Sequence, residues 1–252
     1  MDLTAFHIRR PGAFAVLLTI FGVAVFCVLG VWQLRRAAYK ETVLARFHHA
    51  ATAPVVSLSG ALADWQSGAY PHVRVSGTLQ GNRVYFLDDQ RRQGRLGVMV
   101  FVPFLPEGAS RTLLVNLGFL ARMGADSLNL PDLPPVPDHS VTLTGIYAPP
   151  PLPGLKLGGN PLVREHSWPK LVTWIDTREI AADLHTTVYP HVLLLDPDPH
   201  SAYLRIWTAN VMPPARHRAY ALQWFTFAAA AIVIFFVLHR VKRDDAATDD
   251  EE

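Results

Sequence analysis

Met212-Pro213-Pro214-Ala215-Arg216-His217-Arg218-Ala219-Tyr220-Ala221-Leu222-Gln223-Trp224-Phe225 is the stretch of this sequence richest in groups that could do chemistry. On a helix, His217, Tyr220 and Trp224 fall at i, i+3 and i+7 and share one face. An imidazole at a membrane boundary can serve as an axial haem ligand. Arg216 and Arg218 could pair with haem propionates, and Trp224 or Phe225 could cover the flat ring. The same residue types also make an interfacial belt, because Trp, Tyr, Arg and His all suit the headgroup level of a bilayer. The residues by themselves leave both readings open.

A counterpart lies far upstream, at Trp32-Gln33. An amide in apolar surroundings is costly unless it is hydrogen bonded. Gln33 and Gln223 are therefore expected to touch each other, or a partner helix, across neighbouring segments.

Those segments are the elements that must position the chemistry. Gly12–Val31 and Ala219–Leu238 contain no charged residue, and each is close to the ~20 residues a helix needs to cross a bilayer. The first is too long for a signal-peptide core, and its exit, Gly30-Val31-Trp32-Gln33-Leu34-Arg35-Arg36, offers no small-residue cleavage site. Two retained spans put both tails on one side. Arg9, Arg10, Arg240, Lys242 and Arg243 flank the spans on the tails, and short basic tails favour the cytoplasm. The expected organisation is a cytoplasmic tail at 1–11, a span at 12–32, a periplasmic domain at 33–218, a second span at 219–238 and a cytoplasmic acidic tail at 239–252. Residues 244–252 read as disordered.

The outer domain reads as α+β, a small closed or nearly closed sheet with a helix feeding it at each end. Residues 33–49 continue the first span as helix. Strands are expected at His72–Leu79, Arg83–Leu87, Val98–Leu105, Thr112–Leu117, Val141–Tyr147, Lys170–Ile175, Val188–Leu195 and Tyr203–Trp207. Gln80-Gly81-Asn82 suggests a hairpin joining the first two. Asp176 should cap a helix running to Leu184, with Glu179 reaching back to close a capping box. Pro190 requires a strand start or an edge. Pro131–Pro137 and Pro149–Pro153 read as surface loops or as polyproline partner segments.

Catalytic signatures are missing: no GxSxG, HExxH, P-loop or GxGxxG occurs. Asp88-Asp89 reads as a strand-end turn, since neighbours on a strand point to opposite faces. His48-His49 diverge on a helix and cannot share a metal. The single cysteine, Cys27, lies in the first span, so the outer domain has no disulfide and no thiolate site. A net charge of +2 gives no argument for nucleic acid. An enzyme is not expected.

The chain resembles the SURF1 family of cytochrome c oxidase assembly proteins. The resemblance rests on Leu29–Arg36 with Lys40, Val75–Leu79, Tyr85–Asp88 with Gly94 and Gly97, Leu113–Asn116 with Gly118, Gly145, Trp174–Asp176 with Ile180-Ala181, and Pro214, His217, Tyr220-Ala221 and Gln223–Phe225. Where family members usually show an Asn-Arg-Gly-Trp turn, this chain reads Asn116-Leu117-Gly118-Phe119, and an Asp-Asn-Arg-like segment reads Asp88-Asp89-Gln90. The resemblance implies a membrane-anchored chaperone that assists haem a insertion into, or stabilisation of, oxidase subunit I. Its site would comprise His217, Tyr220, Trp224, Arg216 and Arg218, with Trp32, Gln33 and Gln223 as interhelix or partner contacts. Other assembly factors would act beside it. The alternative is a cofactor-free module that holds an oxidase subunit.

Overall fold

A computed structural model describes residues 6–8, 10–63, 68–123, 129–152, 159–208 and 212–242. Arg9, Pro153, Arg243 and the acidic ending lie outside the described residues. The chain divides into two compact units, one formed by 1–42 with 211–252 and the other by 43–210.

The first unit is built on two helices. Helix α1 runs Ala13–Ala50, its last two turns belonging to the second unit, and α4 runs Pro214–Leu238. α4 starts before the apolar run because Pro214 takes the first helical position, where its missing N–H is no loss. Both helices are long and apolar enough to cross a membrane, and little of either apolar stretch is buried within the protein. Their outer surfaces are therefore apolar side chains such as Phe14, Leu17, Leu222 and Leu238 open to the surroundings, a pattern for lipid rather than water. Two short strands, Phe6–Ile8 (β1) and Arg240–Lys242 (β10), pair antiparallel and tie the tails together.

The second unit is a barrel. Its elements are β2 (Val56–Ser57), α2 (Leu58–Ala63), β3 (His72–Leu79), β4 (Tyr85–Arg92), β5 (Arg95–Pro106), β6 (Arg111–Ala121), β7 (Ser140–Ala148), a 3-10 turn at Pro161–Arg164, β8 (Lys170–Val172), α3 (Thr177–Leu184) and β9 (Thr187–Leu195). β3, β7, β9, β6 and β5 close into a ring through the β3–β5 pairing, with β2 added outside β3, and β4 and β8 outside β5. Closure removes the edges that an open sheet would expose.

Runs such as Val98–Phe104 are apolar on both faces because the wall is buried on both. Val98, Val100, Val102, Leu113, Val115 and Leu193 belong to one cluster. Met99, Phe101, Leu114, Val192 and Leu194 belong to the other, which is capped by Ile180 and Leu184 of α3 and by Phe47 at the end of α1. Alternation along each strand thus feeds an interior core and a second core under a helical cover.

Several expectations are corrected. The turn at Gln80–Asn82 does not make a hairpin: β3 pairs with β7 and with the far end of β5, while β4 pairs with the near end of β5. β5, twelve residues long, serves both neighbours. Gly77 permits the seam, since a Cβ there would lie 2.2 Å from the carbonyl oxygen of Leu105. Tyr203–Trp207 is not a strand. Only Leu204 bridges Phe119, and the side chains supply the other bonds: Arg205 donates to Leu117 O and Asp196 O, and Trp207 Nε1 to Leu195 O at 2.7 Å. Asp176 caps α3 by accepting from Arg178 N, but Glu179 closes no capping box; it takes Trp174 Nε1 and Asn160 Nδ2 instead. Asp88-Asp89 lies in a bulge within β4, not at a strand end, with Asp89 at φ +54°. The strand from Lys170 stops at Val172. Pro190 sits in an interior strand, but at a register shift and before the β7 pairing begins at Val192, where no ladder donor is needed from it. Residues 131–137 have no regular structure, and Leu133 and Val136 press onto the interior core.

Candidate functional site

Gln33 lies on the inward side of α1, midway along the helix, and His217 on the inward side of α4 in its first turn, each where the apolar run meets charged residues. His217 is 8% exposed. Its Nδ1 donates to the side-chain oxygen of Gln33 at 2.8 Å. A carbonyl oxygen can only accept, so the proton of the neutral ring sits on Nδ1 and Nε2 keeps its lone pair. That Nε2 is shut off from solvent and has no hydrogen-bond partner. A ring whose one nitrogen is oriented by a carbonyl oxygen presents its other nitrogen in a fixed direction, a geometry compatible with metal ligation.

The rest of the interface fixes the two helices around this bond. Gly30 lets α4 approach closely, because a Cβ there would lie 2.7 Å from the Phe225 ring. Trp224 stacks on Phe26 with ring centroids 6.0 Å apart, and Phe227 meets both edge-on. Ala221 and Ala228 are buried on the same stripe as His217. Beyond the histidine, Arg218 forms an ion pair with Glu41.

The structure gathers some of the residues singled out from sequence and separates others. Gln33, His217 and Trp224 lie on the facing sides of the pair. Tyr220 is 43% exposed and Trp32 56% exposed, and Arg216 is exposed as well. Gln223 is exposed, so the expected contact between the two glutamines is absent; Gln33 is satisfied by His217 instead. The burial stripe explains the difference: 217, 221, 224 and 228 follow the helix repeat inward, whereas 220 and 223 both fall to one side of it, 223 further round. Glu41, Phe26 and Gly30 were not singled out by their chemistry. The small residue and the aromatics carry no signal until the helices are placed together.

The family model for the SURF1 family matches residues 20–229, from within the first helix to within the second. The chain belongs to the SURF1 family. It is also similar to the cytochrome oxidase assembly protein SHY1 of Saccharomyces cerevisiae, with 24% identity over 129 residues. That match covers 48% of this chain and 32% of the yeast protein. The Gln33–His217 bond joins two motifs that lie within the SURF1 match, and both belong to the unit carrying the membrane-type helices.

The barrel of this SURF1 protein holds a second polar cluster. Lys170 Nζ donates to Asp183 Oδ1 at 2.5 Å, Tyr85 OH donates to Asp183 Oδ2 at 2.8 Å, and the ammonium lies 4.7 Å from the Trp168 ring. Burial, then the bond to Asp183, raise the Tyr85 phenol above its ordinary range. Asp183 is shared between an ammonium and a phenol, and α3 is thereby fastened to β4 and β8.

Proposed function

We propose that the chain is a membrane-anchored assembly factor for haem–copper cytochrome c oxidase, and that it holds haem a transiently on His217 for delivery to subunit I. It would act as a chaperone beside other oxidase assembly factors, without catalysing a reaction. The chain would cross a bacterial inner membrane twice, with the barrel in the periplasm and both termini in the cytoplasm. The observation that carries the reading is the buried, unpartnered Nε2 of His217, oriented by Gln33.

Haem supplies an iron that accepts an imidazole nitrogen and leaves further positions for exchange. Gln33 keeps the ring in the tautomer that offers Nε2. Trp224, held against Phe26, gives an apolar aromatic flank. Arg216 is exposed and would pair with a propionate, whereas Arg218 would have to leave Glu41 to do so. A single protein ligand favours release as well as capture, as a carrier requires.

A second reading, the cofactor-free module holding an oxidase subunit, draws on the same Arg218–Glu41 pair and on the exposure of Tyr220 and Trp32, which would then face a partner helix. The optical spectrum of detergent-purified protein from cells that make haem a separates the two. The haem reading predicts a Soret band that follows the protein through size exclusion. A protein without that band, whose deletion still lowers oxidase content, would replace it with the second reading. Normal oxidase content in a deletion strain with no second homologue would overturn both.

A further inference from the structure

The β4–β5 hairpin carries a concentration of positive charge that neither the helix pair nor the barrel core explains. Arg91, Arg92 and Arg95 surround its Gln93-Gly94 tip. Arg122 follows the end of β6 and donates its backbone N–H to Leu96 O on the same hairpin. Among the described residues, two aspartates lie on the same hairpin. Asp88 accepts from Arg122 Nη2 at 2.5 Å, and Asp89 is exposed. Arg92 is half-buried: its Nη1 donates to Arg91 O at 2.8 Å, and its Nε is shut off from solvent with no hydrogen-bond partner. Burial also pulls its pKa below the ordinary arginine value. A guanidinium withdrawn from water with no carboxylate beside it among the described residues is costly, and the planar guanidinium fork, here joined by the exposed Arg91 and Arg95, suits a phosphate group.

Register places this tip at one particular end of the barrel. His72 opposes Ile146, Gly145 opposes Leu195, Asn116 opposes Leu194, and Ala121 opposes Gly97, which in turn opposes Gln90. The hairpin tip therefore extends from the end that holds His72 and Leu195. The chain enters and leaves the barrel at that end. Ala53, just after α1, accepts from His72 Nδ1, and Trp207, on the way to α4, donates to Leu195 O. Met123, 50% exposed, adds an apolar side chain next to Arg122.

We propose that the arginine tip of the β4–β5 hairpin binds the phosphates of anionic phospholipids at the surface of the membrane that anchors the same chain. Basic groups near a bilayer are drawn to anionic headgroups, and the two spans keep the lipid surface at high effective concentration. Binding there would supply Arg92 with counter-charge.

The full-length protein tests this, with Cys27→Ala and Gln93→Cys to place one fluorophore at the tip. It is reconstituted into vesicles of phosphatidylcholine alone or with phosphatidylglycerol, each containing headgroup-labelled quencher lipid. Strong quenching with phosphatidylglycerol and weak quenching without it is expected. Each arginine exchanged for glutamine should lower the contact about fivefold, so the triple variant Arg91→Gln, Arg92→Gln, Arg95→Gln should lose the lipid dependence. The corresponding lysine triple variant should keep most of it, which separates charge from misfolding. Equal quenching in both vesicles, or full quenching in the glutamine variant, would overturn the proposal. Loss of quenching on adding inorganic phosphate at constant ionic strength would overturn it in favour of a soluble anion.

Discussion

Replacing Gln33 with leucine keeps the size of the side chain and removes the acceptor for His217 Nδ1. The bond is 2.8 Å long and lies in an apolar helix interface. A buried donor left without an acceptor costs about 1–3 kcal/mol in water-soluble proteins, but hydrogen bonds between membrane helices average about 0.6 kcal/mol, with a maximum near 1.7. The expected cost to the helix pair is therefore about 1 kcal/mol, which leaves the fold intact. The larger effect falls on Nε2. Without Gln33 the imidazole can rotate and exchange its tautomer, and loss of such an orienting partner typically weakens metal affinity 10–100-fold. Haem titration of wild type, Gln33→Leu, His217→Ala and the double variant measures this as a cycle. Gln33→Leu should weaken haem binding by one to two orders of magnitude, and it should have no further effect once His217 is alanine. Unchanged haem affinity in Gln33→Leu would refute the reasoning, as would an equal effect in the presence and absence of His217.

Three other outcomes follow from particular features. Gly145→Ala would place a Cβ 2.2 Å from Leu194 O, and because a backbone carbonyl cannot swing aside the barrel should lose roughly 1–3 kcal/mol, read as a lowered denaturation midpoint; an unchanged midpoint would contradict the close β7–β9 packing. The phenols of Tyr147 and Tyr203 are pushed up to about 12, chiefly by burial. The unfolded chain releases these protons near pH 10, so their contribution to stability is complete below ~10 and is lost as pH rises toward 12; tyrosinate absorbance should show both still protonated at pH 11 in folded protein. A reporter that works only in the periplasm should be active when fused after Glu107 and silent when fused after Arg243, and the reverse pattern would invert the proposed topology.

The sequence carried the strands better than their pairing. Alternation in His72–Leu79 and the apolar runs of β5, β6 and β9 mark strands because local side-chain patterns reflect local burial. Nothing local reveals that β5 joins two neighbours at its two ends, so proximity in sequence suggested a β3–β4 hairpin that the closed ring does not contain. The segment around Leu204 looked like a strand for the same reason: its β-branched and aromatic residues are real, but Arg205 and Trp207 bond sideways to strand-end carbonyls. At the helix pair, the histidine and the two glutamines were visible as polar groups in apolar surroundings. Which glutamine meets the histidine depends on helix rotation and on the close approach at Gly30, which only the assembled pair defines.

The proposed haem ligand is the Nε2 of His217. This assignment is tested most directly by replacing the ring and then returning it. Purified from cells that synthesise haem a, the wild-type protein should show a haem spectrum, His217→Gly should lack it while remaining folded and inserted, and added imidazole should restore it by occupying the vacated space. A His217→Gly protein that keeps the wild-type spectrum without imidazole, or a wild-type protein that acquires no haem at all, would contradict the account.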